Sequence, residues 1–194
     1  MIGLYVNGLS TEKNEAIKQS VRLTRDLGFQ VVLEYNETKN MLFDIAEALW
    51  GRWLGRFFPI KFVSNLHLVI KEKLDKGRQV MLIAHSQGCL HMINAVNLLS
   101  SKERSHVYMA LFASPTIYEP DNLFKLEYFY NDKDWVVSDL VRDWQKDVKK
   151  TYTRKANSHD FEYGYLDHID EYKRDNGKTS LYASMVAMEK SDEG

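Results

Sequence analysis

A chain of 194 residues is long enough to bury one sizeable core and too short for more than two very small domains. Lys+Arg total 26 against Asp+Glu 27, a formal net charge of -1 with neutral histidines, which argues against a chain built for nonspecific nucleic-acid binding. A lone cysteine, Cys89, excludes an intrachain disulfide and a CxxC-type zinc site, and ten glycines with three prolines exclude a collagen-like or linker-dominated chain.

In chain order, Ile2–Val6 reads as a buried strand closed by the turn pair Asn7-Gly8. Thr11 is the expected N-cap of a helix carrying Ala16, Ile17, Val21, Leu23 and Leu27 at helical spacing, and Gly28 stops it. Phe29–Tyr35 predicts a second strand and Met41–Trp50 a helix. Trp50–Pro59 follows, aromatic, basic and broken by Gly51 and Gly55. Asn65–Lys76 predicts a helix ended by Gly77, Val80–Ala84 a third strand, Cys89–Leu99 an apolar helix and Val107–Ala113 a fourth strand. Leu126–Tyr130 reads as a fifth strand and Val137–Lys150 as a helix with a polar face. Lys150–Arg154 reads as a short sixth strand and Phe161–Lys173 as a last helix.

Repeats, low-complexity tracts and boundary-marking linkers are not visible, so residues 1–194 read as a single domain. Strand–helix alternation predicts an α/β fold. The expected form is a three-layer αβα sandwich whose mostly parallel sheet has about six strands. The first residues lack the basic region and apolar core of a signal peptide, and no run approaches about 18 apolar residues. The expected location is therefore the cytoplasm.

The chemistry concentrates where the third strand runs into Ala84-His85-Ser86-Gln87-Gly88 and a helix follows at once. A serine at the apex of a strand–turn–helix needs small neighbours two positions to either side, because strand and helix pass too close for larger side chains. Its hydroxyl then stands at the carboxyl end of the sheet, beside a helix N-terminus that favours developing negative charge. The bland alternative is a serine that merely caps a buried helix.

With these residues the chain resembles the α/β-hydrolase superfamily, from Ile2 to about Tyr172, and is most similar to small bacterial hydrolase-like proteins. The resemblance is carried by Val6-Asn7-Gly8, by Tyr35-Asn36-Glu37-Thr38, by the Ala84–Gly88 elbow with Ala at its first position, and by Asn131-Asp132-Lys133-Asp134-Trp135-Val136. His159 ahead of Tyr165-Leu166 completes it. It implies Ser86 as nucleophile, Asp134 as the acid after the fifth strand with Asp132 as rival, and His159 as the base with His168 as rival. It also implies an oxyanion hole built from the backbone N–H groups of Gln87 and Leu9, with Gly8 permitting the close approach. The other histidines, His67, His85, His91 and His106, do not follow the acid; His85 is expected to pack near the site.

Trp50, Trp53, Phe57 and Phe58 with Arg52 and Arg56 read either as core around a helix break or as an acyl pocket or membrane-touching patch; membrane contact is not expected. Cys89, in the first turn of the elbow helix, reads as a small buried residue rather than a low-pKa thiol. Without a G-x-G-x-x-G, a P-loop or an H-E-x-x-H, no metal or organic cofactor is implied. The expected activity is cleavage of a small-molecule or lipid-like carboxylic ester or thioester through an acyl-enzyme. A non-catalytic binding module and an acyltransferase with the same triad are the alternatives. A full hydrolase sheet has eight strands, so the resemblance implies a trimmed core without the two leading strands and with a shallow, open site.

Overall fold

The computed structural model describes residues 1–37, 61–116, 120–131, 134, 150–153 and 159–166. The described elements are β1 (Ile2–Val6), α1 (Lys13–Leu27), β2 (Val31–Leu33), α2 (Lys61–Asp75), β3 (Val80–His85), α3 (Gln87–Asn97), α4 (Ser101–Arg104), β4 (Val107–Phe112), β5 (Lys125–Asn131), β6 (Lys150–Thr153) and α5 (Phe161–Gly164). The strands form one sheet in the order β2-β1-β3-β4-β5-β6, and every pairing is parallel.

Every residue of β1, β3 and β4 is buried. That is what continuous apolar runs become when a parallel sheet is covered on both faces. In a parallel sheet, residues paired across strands share a face, which places Tyr5, Ile83, His85 and Phe112 on one side. Phe161 of α5 covers that side, stacking on Tyr5 at 5.2 Å and standing edge-on to Phe112 at 5.3 Å. Arg22 of α1 reaches Glu162 at 3.6 Å, so α1 and α5 lie on the same face. Helices α2 and α3 pack on one another, and right-handed crossovers assign them to the opposite face.

Order 2-1-3 makes the chain leave β1 toward one edge and β3 toward the other. The loops after β1 and β3 therefore diverge and leave a crevice at the carboxyl end of the sheet, the usual ligand position in open α/β folds.

The element boundaries differ from expectation in physically simple ways. Helix α1 starts at Lys13 with Glu12 at the N-cap rather than Thr11, and that cap makes no side-chain bond. Gly28 ends it as expected, in the left-handed region at φ 78°. Strand β2 is only Val31–Leu33, because Tyr35 and Asn36 turn away to bond the loop after β1. Helix α2 begins at Lys61 rather than Asn65, and α3 begins at Gln87 rather than Cys89. Helix α4 was not expected, although its signal is present in the sequence. Ser100 and Glu103 form a capping box, with Ser100 N–H donating to Glu103 Oε2 at 2.7 Å and Glu103 N–H donating to Ser100 Oγ at 3.3 Å.

The expected helix over Met41–Trp50, the one over Val137–Lys150 except for Lys150, which begins β6, and the part of the Phe161–Lys173 helix beyond Leu166 lie outside the described residues. So do the Trp50–Phe58 segment, Asp132 and His168. Among the described residues no helix is long and apolar enough to cross a membrane.

Candidate active site

Ser86 has φ 50° and ψ −122°, a conformation that side chains other than glycine's rarely adopt. It heads α3 yet makes no capping hydrogen bond. The capping alternative is therefore excluded, and the side chain is committed elsewhere.

The reason for small residues around it is measurable. A Cβ added at Gly88 would lie 2.7 Å from the carbonyl oxygens of both Val6 and Asn7, so the elbow helix is pressed onto the backbone leaving β1. A Cβ at Gly8 would lie 2.8 Å from His85 Nδ1 and 3.1 Å from Ser86 Cβ. Two glycines thus allow the loop after β1 and the turn after β3 to touch across the crevice.

Ser86, Asp134 and His159 come together there. His159 Nε2 lies 3.0 Å from Ser86 Oγ, and His159 Nδ1 lies 2.7 Å from Asp134 Oδ2. A carboxylate only accepts, so Nδ1–H is the donor and the Nε2 lone pair faces the serine hydroxyl. Asp134 is fully buried, His159 is partly exposed, and Ser86 is partly exposed. Asp134 is thus sealed from water while Ser86 remains reachable.

Asp134 Oδ2 also accepts from the Tyr165 hydroxyl at 2.8 Å. Sequence reasoning gave Tyr165 no role beyond its place in a motif, since a tyrosine carries no local sign of its hydrogen-bond partner.

His85 packs as expected. Its ring stacks on Phe161 at 5.0 Å and lies 5.0 Å from the His159 ring. Neither of its nitrogens makes a hydrogen bond of ordinary geometry among the described residues. Burial, and then the neighbouring His159, lower its pKa to about 3, so it stays neutral. Burial alone lowers His91 on α3 to about 4. Cys89 is buried, with Sγ donating to the Phe112 carbonyl at 3.4 Å, and burial pushes its thiol far up, away from a reactive thiolate.

A buried chain of amides ties the three loops at this end of the sheet. Asn7 Nδ2 donates to the Asn36 carbonyl at 2.9 Å, Asn36 N–H donates to Asn7 Oδ1 at 2.8 Å, and Asn36 Nδ2 donates to Gln87 Oε1 at 2.9 Å. Asn36 thereby fixes the loop after β1, which carries Gly8 and Leu9, relative to the first residue of α3. The sequence motifs containing Asn7, Asn36 and Gln87 lie far apart in the chain, and this shared network was not read from them. Among the described residues no group of three or more His, Cys, Asp or Glu side chains could hold a metal ion.

No protein-family model matches the chain, and no curated protein matches it. Among solved structures it is similar to a candidate hydrolase of the alpha/beta superfamily from Xanthomonas campestris pv. campestris. The likeness covers 89% of this chain and 92% of that one, at 12% identity and a TM-score of 0.46. The α/β fold itself stands on the parallel strand order and the helices that cover the sheet.

Proposed function

We propose that the protein is a serine hydrolase that cleaves carboxylic esters or thioesters of small-molecule or lipid-like substrates. The observation that carries this reading is the unbroken line from Ser86 Oγ through His159 to buried Asp134, at 3.0 Å and 2.7 Å, built on a strained serine. Both contacts lie within the reach required of a nucleophile, its base and the base's orienting acid.

In the first half-reaction Ser86 Oγ attacks the substrate carbonyl carbon as His159 Nε2 takes its proton. Asp134 holds Nδ1–H and balances the imidazolium. The oxyanion faces the backbone N–H of Gln87, at the N-terminus of α3, and that of Leu9. His159 then protonates the leaving alcohol or thiol as the tetrahedral intermediate collapses to an acyl-serine. In the second half-reaction His159 removes a proton from water, which attacks the acyl-serine. Return of the proton to Ser86 Oγ releases the carboxylic acid.

Turnover of p-nitrophenyl acetate by the purified protein tests the reading. Ser86→Ala is expected to lower kcat/KM by at least about 1,000-fold with the fold unchanged by circular dichroism. Equal turnover by the two proteins would contradict it.

A further inference from the structure

Asp134 Oδ2 receives two donors, His159 Nδ1–H at 2.7 Å and the Tyr165 hydroxyl at 2.8 Å. We propose that Tyr165 is a positioning residue of the site, whose phenol clamps the acid by sharing with His159 the oxygen that orients the base. The proposal rests on the serine-hydrolase reading above and adds a fourth member to its relay.

The clamp is built rather than incidental. Tyr165 is fully buried, and its ring sits among His85 at 5.7 Å, Phe112 at 5.9 Å and Phe161 at 6.5 Å. Packing against the ends of β3 and β4 keeps the hydroxyl where it is. A buried phenol and a buried carboxylate each cost free energy unless hydrogen-bonded, and here each supplies the other with a partner. Base and clamp also belong to one short segment. Residues 159–166 carry both donors to Oδ2, and the segment is anchored through Phe161 on Tyr5 and through Glu162 on Arg22. A displacement of this segment would move both donors together.

The clamp has an electrostatic consequence. A hydrogen bond to an ionised carboxylate stabilises its charge and makes it a weaker acceptor for anything else. With the phenol in place, Oδ2 therefore accepts less strongly from His159 Nδ1–H than it would alone. Removing the phenol leaves the oxygen to His159 and strengthens that hydrogen bond. The other titratable groups described around the pair are His85 at the end of β3, Asp160 beside His159, Glu15 of α1 facing Asp160, and Tyr5 of β1. His85 stays uncharged through burial, and burial raises the Tyr5 phenol well above its usual range, so neither changes charge near neutrality.

Two variants test the proposal. Tyr165→Phe keeps the ring and its packing and removes only the hydroxyl. 3-Fluorotyrosine placed at position 165 keeps the hydroxyl and makes it a stronger donor. The Nδ1–H proton resonance of His159, followed by NMR, is expected to move downfield in Tyr165→Phe, as its bond to Oδ2 strengthens, and upfield in the fluorotyrosine protein. In Tyr165→Phe kcat should drop several-fold with KM unchanged. A resonance unmoved in both variants, or moved the opposite way, would overturn the clamp. The resonance reads the clamp without requiring catalysis. Shifted resonances in a protein without Ser86-dependent turnover would sink the hydrolase reading alone. Unshifted resonances in an active enzyme would sink the clamp alone.

Discussion

Asp134→Asn is expected to lower ester turnover by about 10,000-fold while leaving the protein folded. Asparagine fills nearly the same volume, so the buried site keeps its shape, but it removes the charge that two donors converge on. If the asparagine amide nitrogen faces His159, two donors meet, and the ring must carry its proton on Nε2 instead. Nε2 then points an N–H at Ser86 Oγ, 3.0 Å away, where a lone pair is needed. If the amide oxygen faces His159 the tautomer survives, yet the imidazolium formed during attack has lost its counter-charge. Both outcomes remove transition-state stabilisation, so kcat should fall far more than KM rises. Steady-state kinetics with a chromogenic ester measures this, and a variant within tenfold of the unsubstituted protein would show that Asp134 is not the orienting acid.

Gly88→Ala is expected to damage both the fold and the chemistry. The new Cβ would sit 2.7 Å from two carbonyl oxygens, those of Val6 and Asn7. Both are backbone atoms, so neither can rotate aside as a flexible side chain would. The end of β1 and helix α3 must separate, at about 2–3 kcal/mol of stability. On the mechanism proposed above, that separation also draws the loop carrying Leu9 away from the start of α3, and a displacement of about 1 Å between reacting groups lowers turnover on the order of 100-fold. Gly28→Ala is the control. Gly28 has φ 78° but open space around its missing Cβ, so alanine there costs about 1 kcal/mol through the backbone alone and leaves turnover unchanged. Chemical denaturation and ester kinetics on both variants separate crowding from backbone strain. Equal stability losses in the two, with activity retained in Gly88→Ala, would mean that the close approach at the elbow is dispensable.

Local signals were legible in the sequence, and long-range ones much less so. The apolar runs of β1, β3 and β4 stood out because those strands are buried on both faces. The elbow stood out because its steric demands fall on residues within two positions of Ser86, and Gly88 shows those demands directly. Strand β2 was read too long because Tyr35 and Asn36 suit a strand but are drawn off by hydrogen bonds to Thr11 and Asn7. Tertiary partners overrode propensity there.

The site was legible in residue types rather than in contacts. Asp134 and His159 were expected from chain order and resemblance, whereas their 2.7 Å contact depends on tertiary structure that brings residues 25 positions apart together. Asp132 and His168, the rivals, lie outside the described residues. The hydrogen bonds of Tyr165 and of the Asn7–Asn36–Gln87 network were invisible in the sequence. Nothing within a few residues of each tells a buried phenol or amide which distant group will receive its proton.

The central claim is that Ser86 is an activated nucleophile, and covalent trapping measures it most directly. Folded protein incubated with a fluorophosphonate, then analysed by intact mass and peptide mapping, should gain one adduct, on Ser86, and Ser86→Ala should gain none. A folded protein that takes up no probe, or takes it up equally well as Ser86→Ala, would contradict the account.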